Sequence, residues 1–331
     1  GGGHRERGEL SWWVVGRTIT CWLTALWGGL GRPGSPGSGD PKRDPTRGLD
    51  YISDLKSDMM VRLVVLLLGL ADVVRCCSNI LVSGGASADG AHMISYNADS
   101  GTLYGAVSHW PANRAWPAGT MRPVYSWDLG RKLGEIPEAN ATYNVMGNAN
   151  CQGVAIGETT HGGLQELSHT GWDERNGTII DYGSLIWITL SRASSAREAI
   201  KTMAWLANTY GYASDMEGFS IADATETWYM EMIGKGEWGK GVVWVALRVP
   251  DGYISAHANQ ARITTFLPCD DESTCMAAPD AVSFAIERGY WKGSATDPAF
   301  SFSDTYDPVT FEGARFCEAR VFSIFAQARP Q

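Results

Sequence analysis

Metal- and nucleotide-binding signatures are what this 331-residue chain lacks. It has no Cys-x-x-Cys and no His-Glu-x-x-His, and its six histidines are scattered, so no metal site or cofactor is called for. It has no P-loop to cradle phosphates and no Gly-x-Ser-x-Gly elbow to present a serine nucleophile. One stretch, Gly234-Lys235-Gly236-Glu237-Trp238-Gly239, does match the dinucleotide glycine pattern. A dinucleotide site needs a helix next, yet the run from Val242 to Leu247 reads as a strand, so this is a hairpin loop. Basic charge is also short, with 27 Lys/Arg against 36 Asp/Glu. From Cys77 onward the ratio is 17 to 28, a formal net of −11, which excludes nucleic acid as a partner because phosphate binding needs a basic surface.

Long apolar runs are missing too. The stretch from Met60 to Leu70 falls well below the roughly 20 residues that span a bilayer, so no stable membrane anchor is expected. With a Met59-Met60 pair and Arg62 at its start and Val74 and Cys76 near its end, the segment 59–76 reads as a signal peptide or propeptide, with a buried helix as the alternative. Arg75 stands where a lipoprotein signal wants a small residue. Residues 1–58 read as an unstructured or spurious leader, since Gly31–Pro41 has too little apolar content to offset ordering entropy. Two glycosylation sequons, at Asn140 and Asn176, agree with export to a secreted or lysosome-like compartment. Cys269 and Cys275 flank an acidic turn and can close a small disulfide loop there.

The remainder, 77–331, is globular by composition and orderly in pattern. Strands are expected near Cys77–Ser83, His92–Asn97, Tyr143–Met146, Gln152–Glu158, Phe219–Ala222, Thr227–Ile233, Val242–Val249 and Tyr253–Ala258. Between them, Leu185, Ile188, Thr189 and Arg192 fit one helix. Ser195 with Glu198 forms a capping box before a second, whose apolar face is Ile200, Met203, Ala207 and Tyr210. Strands, then helices, then strands indicate an α+β fold in which helices cover sheets.

Cys77 lies at the junction between the apolar stretch and this domain. On position alone, a buried or disulfide-bonded cysteine is the commoner outcome. As the first residue of a processed chain, however, it would carry a thiol and a free α-amine together. An α-amine with a reference pKa of roughly 7.7–8.0 can accept the thiol proton near neutral pH. A hairpin centred on Ser87 pairs positions summing to about 174, which sets Cys77 opposite Asn97 and brings Asp99 just past the strand end.

Several stretches resemble, in order, the dipeptidase A-type cysteine dipeptidases. They are Cys77–Val82, Gly85–Gly90, Ser95–Ser100, Ala155–Thr160, Phe219–Asp223, Met230–Gly236 and Ala256–Ile263. That family is related to secernins, penicillin V acylases and bile salt hydrolases. The resemblance implies a four-layer αββα N-terminal-nucleophile hydrolase sandwich, incomplete at its C-terminal end because relatives continue past residue 331. It implies Cys77 as nucleophile, exposed by removal of everything through Cys76, with its own α-amine as general base. Asp99 matches the carboxylate that holds that amine. Asn150 matches the oxyanion-side asparagine, Asn259 is similar to a second site asparagine, and Arg320 answers to a late arginine of the superfamily. Where many relatives have Arg-Asn-x-Asp, this chain has Tyr96-Asn97-Ala98-Asp99, and Cys151-Gln152 replaces a Glu-containing stretch. The expected partners are short peptides, with self-association left open. An acylase of non-peptide amides and a non-catalytic, secernin-like interaction protein are the other readings.

Overall fold

The computed structural model describes residues 77–99, 107–168 and 177–328. The expected leader (1–58), the processing segment (59–76) and the sequon at Asn176 lie outside them. Asn140 is exposed on the segment after β5 (Lys132–Pro137).

Two antiparallel sheets meet beside Cys77. The smaller has the order β12-β1-β2, with β1 (Asn79–Val82) between β2 (Met93–Ile94) and β12 (Ile254–His257). The larger has eight strands, in the order β13-β11-β10-β9-β8-β7-β6-β3. Its centre is β8 (Ala155–Thr160), β9 (Glu217–Ala222), β10 (Thr227–Gly234) and β11 (Val242–Arg248). Shorter strands extend it: β13 (Cys275–Ala277) on one side, and β7 (Ala149–Asn150), β6 (Val145–Met146) and β3 (His109–Trp110) on the other. A separate hairpin joins β4 (Met121–Tyr125) to β5. Every residue of β9 and β10 is buried, as expected for central strands covered on both faces. The glycine-rich loop of Gly234–Gly239 joins the antiparallel pair β10–β11 and is a hairpin loop.

On one face of the large sheet lie α1 (Tyr182–Leu190) and α2 (Ala196–Tyr210). Asp181 caps α1 by accepting from Ser184 N at 2.8 Å, and Ser195 caps α2 by accepting from Glu198 N at 3.2 Å. The Glu198 carboxylate reaches back to Ser194 N, at 2.8 Å, rather than to Ser195, so the capping box closes one residue early. Ile200, Met203 and Ala207 are buried against the sheet, while Arg192 lies beyond the end of α1. Further helices are α3 (Ala281–Arg288), which packs on β11, α4 (Phe302–Tyr306) and α5 (Ala319–Ala328), which packs on β12. A π-helical turn, Gly313–Glu318, leads into α5. The architecture is α+β, with helices segregated from antiparallel sheets.

The small sheet covers the other face of the large one, and the sheets approach closely where side chains are small. A Cβ at Gly157 would lie 2.9 Å from the Cβ of Tyr96 and 3.0 Å from Asn79 Nδ2, so only glycine admits this contact. The space between the sheets is partly polar. His257 contacts Thr159 Oγ1 at 2.6 Å and Ser220 Oγ at 2.6 Å, and its ring stacks on Tyr229 with centroids 4.5 Å apart.

Two expectations need correction. The first hairpin is shifted by one residue: Ser78, not Cys77, bridges Asn97, and Leu81 pairs with Ile94. A 3-10 turn at Gly84–Ala86 takes up the extra residue in the connection. The strand expected at Gln152–Glu158 begins at Ala155, because Gln152 N and Val154 N turn back onto the Asn150 side chain.

Candidate active site

Cys77 lies two residues before the start of β1. Two backbone bonds between Ser78 and Asn97, at 3.0 and 3.3 Å, hold it against the returning strand. This brings Asp99 N to 3.3 Å from Cys77 Sγ, donating to it, while the Asp99 residue remains exposed. Cys77 is 6% exposed. A local element, the hairpin, thus sets the backbone of the residue 22 positions downstream on the thiol.

The other side of the site comes from distant sequence. β12 pairs with β1 so that His257 opposes Asn79, and the chain then turns so that Asn259 lies beside Cys77. One amide hydrogen of Asn259 goes to Thr160 O (2.7 Å), and its side chain acts on the Cys77 thiol so as to lower its pKa. Asn259 Oδ1 accepts from Arg320 Nη2 at 2.8 Å. Arg320 Nη1 donates to Cys77 O and, at 2.6 Å, to Ser78 Oγ. One guanidinium thus fastens the nucleophile's carbonyl and the asparagine's acceptor end. A planar fork suits such a bridge.

Two buried carboxylates brace the loop after Asn259. Asp307 accepts from Ala261 N at 2.8 Å, Gln260 Nε2 at 2.7 Å and Gly163 N at 2.9 Å. Glu231 accepts from Ile263 N at 2.9 Å and from Arg262 N. Gly313 lies against the Gln260 side chain, in space that any Cβ would occupy. The π turn that leads into α5, the helix carrying Arg320, can therefore approach the loop closely.

Electrostatically, burial and then the Glu158 carboxyl push the Cys77 thiol above its ordinary pKa. The Asp99 N–H and the Asn259 side chain oppose that rise without cancelling it. The resting sulfur is a neutral thiol at pH 7 and needs a base to become a nucleophile.

The structure brings Cys77, Asn259 and Arg320 together and sets the Asp99 backbone on the thiol. It does not bring Asn150 there. Both amide hydrogens of Asn150 are taken by Leu190 O (2.7 Å) and Ala193 O (2.8 Å), and its oxygen accepts from Gln152 N and Val154 N, both at 3.0 Å. With no free N–H, Asn150 cannot serve as an oxyanion donor in this arrangement. Cys269 and Cys275 are disulfide-bonded, with Cα atoms 5.3 Å apart.

Sequence reasoning missed two acids. Glu158 and Glu217 are both buried, on β8 and β9, and the register of the two strands sets them on one face of the sheet. Tyr96 Oη donates to Glu158 Oε1 at 2.6 Å. Burial raises both carboxyls above the usual range, and in Glu217 the charge of Glu158 adds to the rise. A signal was present, since Glu158 interrupts Ala155–Thr160 between residues suited to a buried strand.

Comparison with known proteins gives the family. Residues 76–331 match the family model described as peptidase family C69. The chain belongs to that family. A probable dipeptidase of Salmonella dublin is 27% identical over 281 residues, covering 80% of this chain and 61% of the relative. A probable dipeptidase of Latilactobacillus sakei is 28% identical over 205 residues (57% and 40%), and dipeptidase A of Lactobacillus helveticus is 29% identical over 139 residues (42% and 24%). The chain thus spans no more than 61% of the length of these relatives.

Proposed function

We propose that this protein is a cysteine dipeptidase that hydrolyses short peptides from the Cys77 thiol, within a four-layer αββα N-terminal-nucleophile fold. The observation that carries this reading is the convergence of Asn259 and Arg320, from two distant segments, on Cys77 at the head of β1. Family membership and the names of the relatives support peptide hydrolysis. The helix, sheet, sheet, helix succession from α1 and α2 through to α5 is consistent with the layering.

Removal of the residues before Cys77 would free its α-amine. The amine takes the thiol proton, and the Asp99 carboxylate holds the resulting ammonium. Sulfur attacks the peptide carbonyl, and the oxyanion forms beside the Asn259 NH₂, where a fixed donor typically contributes a few kcal/mol. The ammonium then protonates the leaving nitrogen, the C–N bond breaks, and a thioester remains. Water, deprotonated by the amine, attacks the thioester, and the acid leaves as sulfur recovers its proton. Export through residues 59–76 and glycosylation at Asn140 and Asn176 belong to the same proposal.

The test pairs N-terminal sequencing of the purified protein with an assay for amino-acid release from unmodified dipeptides. A mature start at Cys77 with dipeptide turnover supports the mechanism. Turnover by a chain that retains Cys76 would remove the α-amine as base. Turnover of non-peptide amides alone would favour the acylase reading.

A further inference from the structure

Two consecutive residues of β8 hold two consecutive residues of the chain that leaves β12. Thr159 Oγ1 donates to Ala258 O at 2.8 Å, and Thr160 O accepts from Asn259 Nδ2 at 2.7 Å. The asparagine held in this way is the one that Arg320 joins to the nucleophile, through its bonds to Asn259 Oδ1 at 2.8 Å and to Cys77 O. The register of β1 and β12 agrees, since it sets His257 opposite Asn79, two residues from Cys77. Thr159, His161, Ser220 and His257 take no part in the steps above, yet all four are fully buried around this point.

Their hydrogen bonds can be written in only one direction. The Thr159 hydroxyl has one hydrogen and three neighbours: Ala258 O at 2.8 Å, His257 Nδ1 at 2.6 Å and His161 Nε2 at 3.2 Å. A carbonyl only accepts, so the hydrogen goes to Ala258 O and both rings donate to Thr159 Oγ1. Burial holds both imidazoles neutral, with His257 well below its ordinary pKa and His161 at about 3. A neutral His257 that donates from Nδ1 has a bare Nε2. That nitrogen accepts from Ser220 Oγ at 2.6 Å, and Ser220 Oγ in turn accepts from Asn79 Nδ2 at 3.3 Å. Were the ring proton on Nε2 instead, the bare Nδ1 would take the Thr159 hydrogen and Ala258 O would lose its bond. Gly218, opposite Thr159 in the register of β8 and β9, leaves room for the rings; a Cβ there would lie 2.6 Å from the His161 ring.

We propose that His257 and Thr159 are positioning residues for Asn259. The imidazole keeps the Thr159 hydrogen on Ala258 O, and that bond sets the backbone from which the Asn259 amide serves the oxyanion. The proposal rests on the reading of Cys77 as nucleophile and Asn259 as donor. A histidine that only joined the two sheets would need its bonds to Thr159 and Ser220 and nothing beyond them. Here the chain of bonds ends on the residue before Asn259.

The test is a double-mutant cycle on the full chain, with turnover of alanyl-alanine and thermal melting measured together. Thr159→Val, which keeps the shape and loses the hydroxyl, should lower kcat roughly tenfold with KM within about twofold of the parent. Thr159→Ser restores the hydroxyl and should recover kcat to within about threefold. In an Asn259→Ala background, itself slowed about 10²-fold, Thr159→Val should cost no further rate, because it acts only through Asn259. Equal slowing in both backgrounds, or an unchanged kcat with a lowered melting temperature, would make the hydroxyl merely structural and overturn the proposal. Nitrogen-15 NMR of the histidine-labelled parent at pH 7 checks the ring, whether or not Thr159→Val folds. The signals lost in His257→Gln should show a protonated Nδ1 and a bare Nε2; a bare Nδ1 or a charged ring overturns the proposal. If the unmutated protein turns over no dipeptide, the dipeptidase reading fails and exchange of the Asn259 amide hydrogens decides the positioning role. They should exchange at least about tenfold faster in Thr159→Val than in Thr159→Ser, and equal exchange would overturn that role as well.

Discussion

Replacing Asn150 with alanine separates a structural asparagine from a catalytic one. The side chain makes four bonds to backbone groups: two donated to Leu190 O at the end of α1 and Ala193 O beyond it, and two accepted from Gln152 N and Val154 N before β8. Asn150 is 8% exposed and Val154 is fully buried, so most of the orphaned groups cannot turn to water. A net hydrogen bond contributes about 1 kcal/mol, and leaving a buried partner unsatisfied costs about 1–3 kcal/mol. Gln152 is exposed and recovers a water, so with the three remaining groups near the low end of that range the expected loss is about 3–4 kcal/mol. For a domain of this size that lowers Tm by roughly 6–15 °C. Thermal melting by circular dichroism and single-turnover acylation, measured on one preparation at a temperature where the variant is folded, give both quantities. The expected result is a large melting shift with an acylation rate within about twofold of the parent. Asn150→Asp should be at least as destabilised, because it keeps the acceptors but sets an anion against two carbonyls. An unchanged melting temperature with acylation slowed about 10²-fold or more would refute the reasoning and restore Asn150 as an oxyanion donor.

Cys77→Ala should abolish turnover, whereas Cys317→Ala, which removes another buried free thiol, should retain it; residual turnover in the first variant would show a different nucleophile. Arg320→Lys keeps the charge but cannot bridge Cys77 O, Ser78 Oγ and Asn259 Oδ1 at once, so kcat should fall roughly tenfold or more with KM little changed, and an unaltered kcat would make the bridge incidental. Burial depresses His161 to about 3, so the unfolded chain takes up its proton first; its contribution is full above about pH 6.5 and declines by about 1.4 kcal/mol per unit as pH falls toward 3. Burial raises Glu231 to about 7, so its contribution is full below about pH 4.5 and declines as pH rises to 7. Denaturant titrations from pH 4.5 to 6.5 should therefore show His161→Gln flattening the rise of stability with pH and Glu231→Gln steepening it; parallel curves for parent and variants would contradict both assignments.

What the sequence determined by itself was whatever local pattern dictates. The β10–β11 hairpin, the caps at Asp181 and Ser195, the apolar face of α2 and the return of the chain from Cys77 toward Asp99 follow from neighbours a few residues apart. The order of motifs from Cys77 to Ile263 likewise announced the family before any coordinates. The tertiary structure alone decided which polar side chains share one site. Asn150 and Asn259 look alike in sequence, but one ties the end of α1 to the start of β8 and the other faces the thiol. Glu158 lies on a strand that was foreseen, yet its pairing with Glu217 depends on the register between β8 and β9, across 59 residues of chain. Arg320 reaches Cys77 across 243 residues. Hydrogen bonds and charges act over a few ångströms of space, and only the packing of one sheet on another brings such distant residues within that range.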